Sequence, residues 1–383
     1  MNCVYLAKSA VSSGIGDSLK ENWDNLCQGV SAIKKITYFN VENIDYQNAA
    51  FKEKLWHSDN HFTMPATVPK DVPNRVCMLT KQVLDSMREF PEDTFIIWTG
   101  VKGNVEYIEN NFKNKMPHLP HHYRKWVCDY INRPEAKGME INAACASSTI
   151  GIILGSMAIS SGLYSSVLVC AADIVSSFVH MGFSSLKALT KTKAKPFDKN
   201  RDGLNLGDGA VASLLVNEEV AQKMEIGERI RVTGWGISND ANHITGPARD
   251  GCGLIEAMQG ALRVAGKKPE DIEAFCAHGT STVYNDAMEL YATDFIFKDR
   301  KFPVFSIKGS IGHTLGAAGA IEAAISAESL KKGIIPPTVG LSDPEDSAVG
   351  RVSDSVTPIP GNNILTTNSG FGGVNAALIL EKE

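Results

Sequence analysis

The chain has 383 residues, more than one hydrophobic core ordinarily carries, so two packed halves are expected. A formal net charge of -5 argues against wholesale nucleic-acid binding, and no uninterrupted apolar run is long enough to span a bilayer. Eight cysteines without a CxxC pair argue for reduced thiols in a cytoplasmic compartment, not for a disulfide framework or a zinc site, and Met1 to Gly16, broken by Lys8 and several serines, makes a poor signal peptide.

Met1 to Gly29 reads as a short strand and then a helix around Leu19 to Cys27, with Asp17 as its cap. Ile33 to Pro73 is irregular and polar. Val76 to Arg88 has helical spacing, and Thr94 to Thr99 suits a buried strand. Val101 to Lys137 is basic and without pattern. Its His118, His121 and His122 have no cysteine and no clear carboxylate beside them, so a solvated loop or surface helix is expected there instead of a metal site. Met139 to Ala143 reads as a strand, Cys145 falls at the turn, and Ile150, Ile153, Leu154, Met157 and Ala158 recur at helical spacing up to Gly162. Ser166 to Asp173 is a buried strand, Ser177 to Leu189 is mixed, Lys191 to Asp202 is a charged loop, and Gly207 to Asn217 is a turn and a strand.

A second half begins near Gly227. Arg229 to Ser238 reads as a strand, and Leu254 to Val264 as a helix stopped by Gly266 and Pro269. Ile272 to Ala277 is a strand leading to His278, Asp286 to Phe297 a helix, Pro303 to Ile307 a strand, and Leu315 to Gly333 a helix rich in small residues. Asn363 to Thr367 and Asn375 to Glu381 close the chain as strands. Strand and helix alternate throughout, which predicts an α/β fold of two similar halves, 1–226 and 227–383, with the small-residue helices buried between them.

A cysteine at a helix start sees unpaired N–H groups and the positive end of the helix dipole, both of which favour a thiolate. Alone it is more often a small buried hydrophobe than a site. Two histidines stand in Gly/Thr-rich turns of the second half, His278 in Ala277 to Thr282 and His313 in Lys308 to Thr314. Together the three fit a nucleophile with acid/base partners, and the glycine turn Gly370 to Gly373 is a further source of N–H groups for an oxyanion hole.

These turns carry a resemblance. NAACASS around Cys145, PFDKNRDGLNLGDGA from Pro196, AHGTST with Asn285, Asp286 and Glu289, KGSIGHTLGAAGA from Lys308 and GFGGVNAAL from Gly370 stand in the order found in the β-ketoacyl-acyl-carrier-protein synthases. The chain resembles the elongating members of that family, in fatty-acid or type II polyketide assembly. The resemblance covers most of the chain from residue 139 on and implies the thiolase fold, two βαβ-rich halves in alternating helix and sheet layers. It implies Cys145 as acyl acceptor, His278 and His313 as the decarboxylating pair, and Lys308 with Glu289 as a supporting ion pair. It further implies Thr280 and Thr282 on the malonyl group or phosphopantetheine arm, and Phe371 and Gly372 at the substrate gate, with the N–H groups of Phe371 and Cys145 as the oxyanion hole. No redox cofactor or catalytic metal is implied.

Within the superfamily, the glycine turn lacks the second cysteine of degradative thiolases, and His313 stands where initiating synthases have asparagine. Cys145 is present where chain-length factors usually lack the nucleophile. Ser369 in place of a phenylalanine, Leu204 in place of an aromatic, Asp208 in place of a glutamate and a short loop before Pro196 hint at a secondary-metabolic member. The rivals are a non-catalytic chain-length-factor-like partner subunit and a non-decarboxylating acyltransferase. The implied partners are an acyl carrier protein and a dimer mate, identical or chain-length-factor-like, with no nucleic acid and no membrane. Carrier proteins are acidic, and Lys187 to Arg201 has a local net charge of +5, which makes Lys191, Lys193 and Lys195 the expected docking residues.

Overall fold

The computed structural model describes residues 2–41, 45–52, 75–87, 89–103, 105, 109, 123–298 and 300–383. In chain order the strands are β1 (Val4–Ser13), β2 (Ile33–Lys35), β3 (Asn48–Ala50), β4 (Phe95–Thr99), β5 (Gly138–Ile141), β6 (Ser166–Asp173), β7 (Gly209–Asn217), β8 (Ile230–Asn239), β9 (Ala274–Cys276), β10 (Val304–Phe305), β11 (Ile334–Ile335), β12 (Thr357–Pro358), β13 (Asn363–Gly370) and β14 (Val374–Lys382). The helices are α1 (Leu19–Cys27), α2 (Arg75–Asp85), α3 (Tyr123–Tyr130), α4 (Ser147–Ser160), α5 (Ser177–Ser185), α6 (Glu218–Lys223), α7 (Cys252–Ala265), α8 (Val283–Phe297), α9 (Lys308–Ile311) and α10 (Ala318–Lys332).

Ten strands form one sheet in the order β10-β9-β13-β14-β8-β1-β7-β6-β4-β5. Its two halves are built alike. β1 pairs antiparallel with β7 and β7 with β6, then β6 parallel with β4 and β4 with β5. The series β8, β14, β13, β9, β10 repeats those senses of pairing in the same order. The halves meet at a single register pair, Tyr5 opposite Arg231. β6 is buried at every residue, and its apolar run from Val167 to Ala172 suits a strand covered on both faces.

Each half ends its parallel ladder on a short edge strand that feeds the site. β5 leads through Cys145 into α4, and β10 leads through Lys308 and His313 into α10. Both helices are buried almost all round and share one apolar cluster with the strands, which is the setting of a helix without a polar face. Small residues permit this. A Cβ on Gly319 of α10 would overlap the Thr149 hydroxyl of α4.

Local differences from the sequence reading have local causes. Ser18, not Asp17, caps α1, its hydroxyl accepting from Glu21 N–H at 3.1 Å. The basic stretch before β5 contains α3, whose inner face of Tyr123, Trp126 and Val127 is set in a sequence too polar elsewhere to show a period. His118, His121 and His122 lie outside the described residues. Among the described residues no cluster of metal-binding side chains occurs, and no helix is long and apolar enough to cross a membrane.

Candidate active site

Cys145 stands one residue before the α4 N-cap, Ala146. Ala144 ahead of it has φ 49, so the chain turns sharply out of β5 to present the sulfur. The thiol is 6% exposed, and its Sγ lies 2.9 Å from His313 Nε2. The Phe371 N–H also points at the sulfur. The expected thiolate does not result from the helix start alone. Burial pushes the thiol up to about 12, against the pull of the Lys308 charge and the Phe371 N–H. Cys145 therefore rests as a thiol, with the His313 imidazole against it.

His313 is fixed by the Leu204 to Gly207 strap. Its N–H donates to Asn205 O at 2.7 Å, and its own carbonyl accepts from Gly207 N–H at 3.0 Å. A Cβ at Gly207 would overlap the Ile311 carbonyl, so the strap closes only with glycine there. This is what the PFDKNRDGLNLGDGA stretch does in the fold. Further along it, Asp208 accepts from Val175 N–H at 2.7 Å and Lys52 N–H at 3.0 Å. Earlier, Phe197 N–H donates to Asp286 at 2.9 Å.

His278 follows β9. Glu289 on α8 accepts the N–H of His278 and the N–H of Gly279, each at 2.6 Å, and holds that turn in place. The two imidazoles meet edge-on, their centroids 5.1 Å apart. Burial, then the Lys308 charge, holds both well below the usual histidine range, so both are neutral at pH 7.

The expected ion pair between Lys308 and Glu289 is not formed. Lys308 pairs with Glu322 of α10 and donates to the His278 carbonyl. Glu289 is occupied by the two backbone N–H groups and by Asn285 Nδ2 at 2.8 Å. Burial and the neighbouring Asp286 push its carboxyl up, against the pull of the Gly279 and His278 N–H groups that keep both oxygens accepting. Glu322 was legible as the one charge in the first two turns of α10, which are otherwise apolar, a position that costs on the order of several kcal/mol unless a cation faces it. Asn368 was also missed. Its Nδ2 lies 3.0 Å from His278 Nδ1 and 2.7 Å from Glu322 Oε2.

Cys145, His278 and His313 open onto one cavity of about 390 Å³. Thr280 and Thr282 line it with their hydroxyls 2.9 Å apart. Phe371 lines it too, its ring stacked on Phe183 at 5.5 Å. Gly372 is not brought in: it is exposed outside the lining, and its N–H donates to Ile244 O at 2.7 Å. Leu204 and Ser369 are on the cavity wall, with Ser369 Oγ donating to Asn375 at 2.7 Å. Of the lysines, Lys191 and Lys193 are exposed and Lys195 half-buried, all outside the lining, and Lys191 is paired with Asp45 at 2.9 Å. Lys187 is the lysine on the cavity wall.

Residues 135–221 match the family description "Beta-ketoacyl synthase, N-terminal domain", and residues 230–342 match "Beta-ketoacyl synthase, C-terminal domain". The chain is 28% identical over 414 aligned positions to a 3-oxoacyl-[acyl-carrier-protein] synthase 2 of Staphylococcus aureus, covering 99% of this chain and 98% of the relative. It is 26% identical to the protein of the same name from Coxiella burnetii, over 99% and 98% of the two chains. Among solved structures, the ishigamide ketosynthase/chain length factor superposes with a TM-score of 0.87 at 26% identity, covering 99% of each chain. A beta-ketoacyl synthase from Burkholderia phymatum superposes at 0.83 and 24%, over the whole of both. The architecture is the thiolase fold of these enzymes, and with both of the family's domains matched in order on either side of the catalytic cavity, the chain belongs to the β-ketoacyl synthase family.

Proposed function

We propose that the protein is an elongating β-ketoacyl-acyl-carrier-protein synthase of fatty-acid or polyketide assembly. The observation that carries this reading is the 2.9 Å approach of Cys145 Sγ to His313 Nε2, with His278 on the same cavity. In the first step Cys145 Sγ attacks the acyl-carrier thioester. His313 receives the thiol proton, the carrier C–S bond breaks, and the carrier thiolate leaves and takes up the proton. The Phe371 N–H, aimed at the sulfur, stabilises the oxyanion.

In the second step malonyl-carrier enters past Thr280 and Thr282. Its C–C bond to the carboxylate breaks and carbon dioxide leaves. The electron pair passes to the thioester enolate, whose oxygen is stabilised by His278 and His313. The enolate carbon attacks the Cys145 thioester, a C–C bond forms, the acyl C–S bond breaks, and Cys145 leaves as a thiolate that takes up a proton from water. The product is a β-ketoacyl-carrier two carbons longer. Loss of carbon dioxide drives the condensation, so the scheme calls for no redox cofactor and no metal.

The partners of the reaction are an acyl carrier protein and a dimer mate, the same chain or a chain-length-factor-like relative. β5 ends the sheet with one edge unpaired among the described strands, an edge that a second chain can cover. We put the division of the chain at residues 226 and 227, between α6 and β8, a reading supported by the repeated order of strand pairing on either side. None of the eight cysteines is in a disulfide, which fits a cytoplasmic location.

Intact mass spectrometry tests the reading. Incubation with an acyl-carrier should add one acyl group at Cys145, and subsequent malonyl-carrier should remove it with release of carbon dioxide. No acyl adduct, alone or with a partner subunit, leaves the partner-subunit role. An adduct without carbon dioxide release leaves the non-decarboxylating acyltransferase.

A further inference from the structure

His278 Nδ1 has two neighbours within hydrogen-bond reach. Asn368 Nδ2 stands 3.0 Å away and Lys308 Nζ 3.3 Å. An ammonium can only donate. The Asn368 amide is held the same way round, because its Nδ2 also donates to Glu322 Oε2 at 2.7 Å. A flip would set its oxygen against a carboxylate oxygen that has nothing to donate. Asn368 Oδ1 in turn accepts from the Thr149 hydroxyl on α4. The side chain is fully buried, so no solvent competes for these bonds.

We infer that Asn368 is a positioning residue that keeps the proton of neutral His278 on Nε2, the ring nitrogen left to the cavity. A neutral imidazole carries one N–H. With a donor facing Nδ1, that nitrogen must accept, and the proton sits on Nε2. Only that tautomer can donate to the oxygen of a developing enolate. Lys308 offers the same preference at longer range, but it is also bound to Glu322 and to the His278 carbonyl. The amide supplies the shorter contact and stays neutral at every pH. Through Thr149 it also ties the histidine to the helix that starts at the nucleophile. The inference rests on the reading of His278 as a decarboxylation residue.

The test uses the full chain and four variants, Asn368→Ala, Asn368→Ser, Thr149→Val and His278→Ala. Three quantities are measured: the His278 ring nitrogen shifts by NMR, kcat and KM for decarboxylation of a malonyl thioester, and acyl loading of Cys145 by mass. The parent should show His278 protonated on Nε2. Asn368→Ala should move the ring signals toward a tautomer average. It should lower decarboxylation kcat about tenfold to a hundredfold, the range for a group acting through another, with KM and Cys145 loading nearly unchanged. Asn368→Ser keeps a short hydroxyl donor, should recover part of the rate, and replaces the alanine variant if that one fails to fold. Thr149→Val, which removes the tie to α4 and leaves the Asn368 donor bonded to Glu322 and His278, should keep decarboxylation kcat near the parental value.

Parental ring signals and a parental rate in the Asn368 variants would overturn the inference. So would a Thr149→Val loss equal to that of Asn368→Ala, because the tie between helices would then account for the effect. His278→Ala separates the two levels. If it decarboxylates at the parental rate, the role of His278 falls and the inference with it. If it is inactive while Asn368→Ala is parental, the inference about Asn368 falls alone.

Discussion

Cys145 Sγ and His313 Nε2 face each other at 2.9 Å, the first carried by the half that ends in β7 and the second by the half that begins with β8. Neither strand-to-helix turn is a reactive site by itself. The thiol is pushed up to about 12 by burial, and the imidazole is held low by the same burial. In the proposed reaction the sulfur proton crosses to the ring as an acyl thioester enters.

Two results at Cys145 follow. Cys145→Ala should abolish acyl loading while leaving malonyl decarboxylation measurable, because the histidines serve the other half-reaction. The thiol of the parent should also be alkylated by iodoacetamide at a rate that rises about tenfold per pH unit, since only the thiolate reacts. The rise should continue through pH 10 without a plateau, because the thiol pKa is raised and the thiol form persists to about 12. A plateau below pH 8 would mean an activated thiolate in the resting site. Normal elongation by Cys145→Ala would remove the nucleophile assignment altogether.

Loss of either histidine should slow decarboxylation on the order of a hundredfold to ten-thousandfold, the usual contribution of a positioned proton donor. Cys145 loading should fall more in His313→Ala than in His278→Ala, because only His313 touches the sulfur. Equal loading in the two variants would show that His313 does not take the thiol proton. Parental release of carbon dioxide by both would remove the pair from the mechanism.

The Lys308–Glu322 pair is buried on both sides, at 2% and 1% exposure. Removing one partner leaves an uncompensated charge in a dry site and costs about 3–5 kcal/mol. Lys308→Met and Glu322→Met should each lower the unfolding free energy by about that much. The double variant should recover much of the loss, since two apolar side chains replace two charges. Decarboxylation should stay low in all three, because each changes the surroundings of His278 Nδ1. Chemical denaturation of the four proteins measures the first effect and carbon dioxide release the second. Additive losses in the double variant would show that the two side chains are not energetically paired.

Much of this site was legible in the order of residues. Cys145, His278 and His313 each sit where a strand pattern stops and small residues begin, and strand ends are where a sheet exposes side chains to a cavity. What was not legible was which acid meets which base. Glu289 and Glu322 both lie on helices within reach of Lys308 in sequence terms, and only the path of the backbone decides. At the His278–Gly279 turn two N–H groups converge on Glu289 and saturate it, so Lys308 turns to Glu322. Asn368 gave no signal, because an asparagine in a closing strand reads as an ordinary polar residue. Gly372 was misplaced because a glycine-rich turn shows that the backbone bends without showing which N–H faces inward.

Glu289 itself gives a separate prediction. Its two oxygens each accept a backbone N–H at 2.6 Å. Glu289→Gln keeps the size and sets an NH₂ group against one of those donors, leaving a buried N–H unpaired. The cost should be about 1–3 kcal/mol of stability. Decarboxylation should fall with it, since His278 is positioned by that turn, while Cys145 loading should hold. Unchanged decarboxylation at reduced stability would confine Glu289 to the fold.

Carrier docking depends on which charges are free. Across Lys187 to Arg201, Arg201 is buried against Asp286 at 3.7 Å and pairs with Glu345, Lys199 is 3.0 Å from Asp346, and Lys191 is 2.9 Å from Asp45. Among the described residues Lys187, Lys193 and Lys195 have no ion-pair partner, and Lys187 is on the wall of the catalytic cavity. An acidic carrier protein should therefore be steered by these three, with Lys191 contributing least because Asp45 already offsets it. Exposed charges act through encounter rate and are screened by salt. Lys187→Glu, Lys193→Glu and Lys195→Glu together should raise the KM for acyl-carrier at least about tenfold at low salt, the lower end of electrostatic steering. The gap from the parent should narrow as salt is added. Lys191→Glu alone should change KM little. A small pantetheine thioester has no acidic protein to dock, so the triple variant should use it at close to the parental rate. If both substrates suffer equally, the lysines support the cavity wall and not the carrier, and if Lys191→Glu matches the triple variant, the Asp45 pair does not hold that lysine in solution.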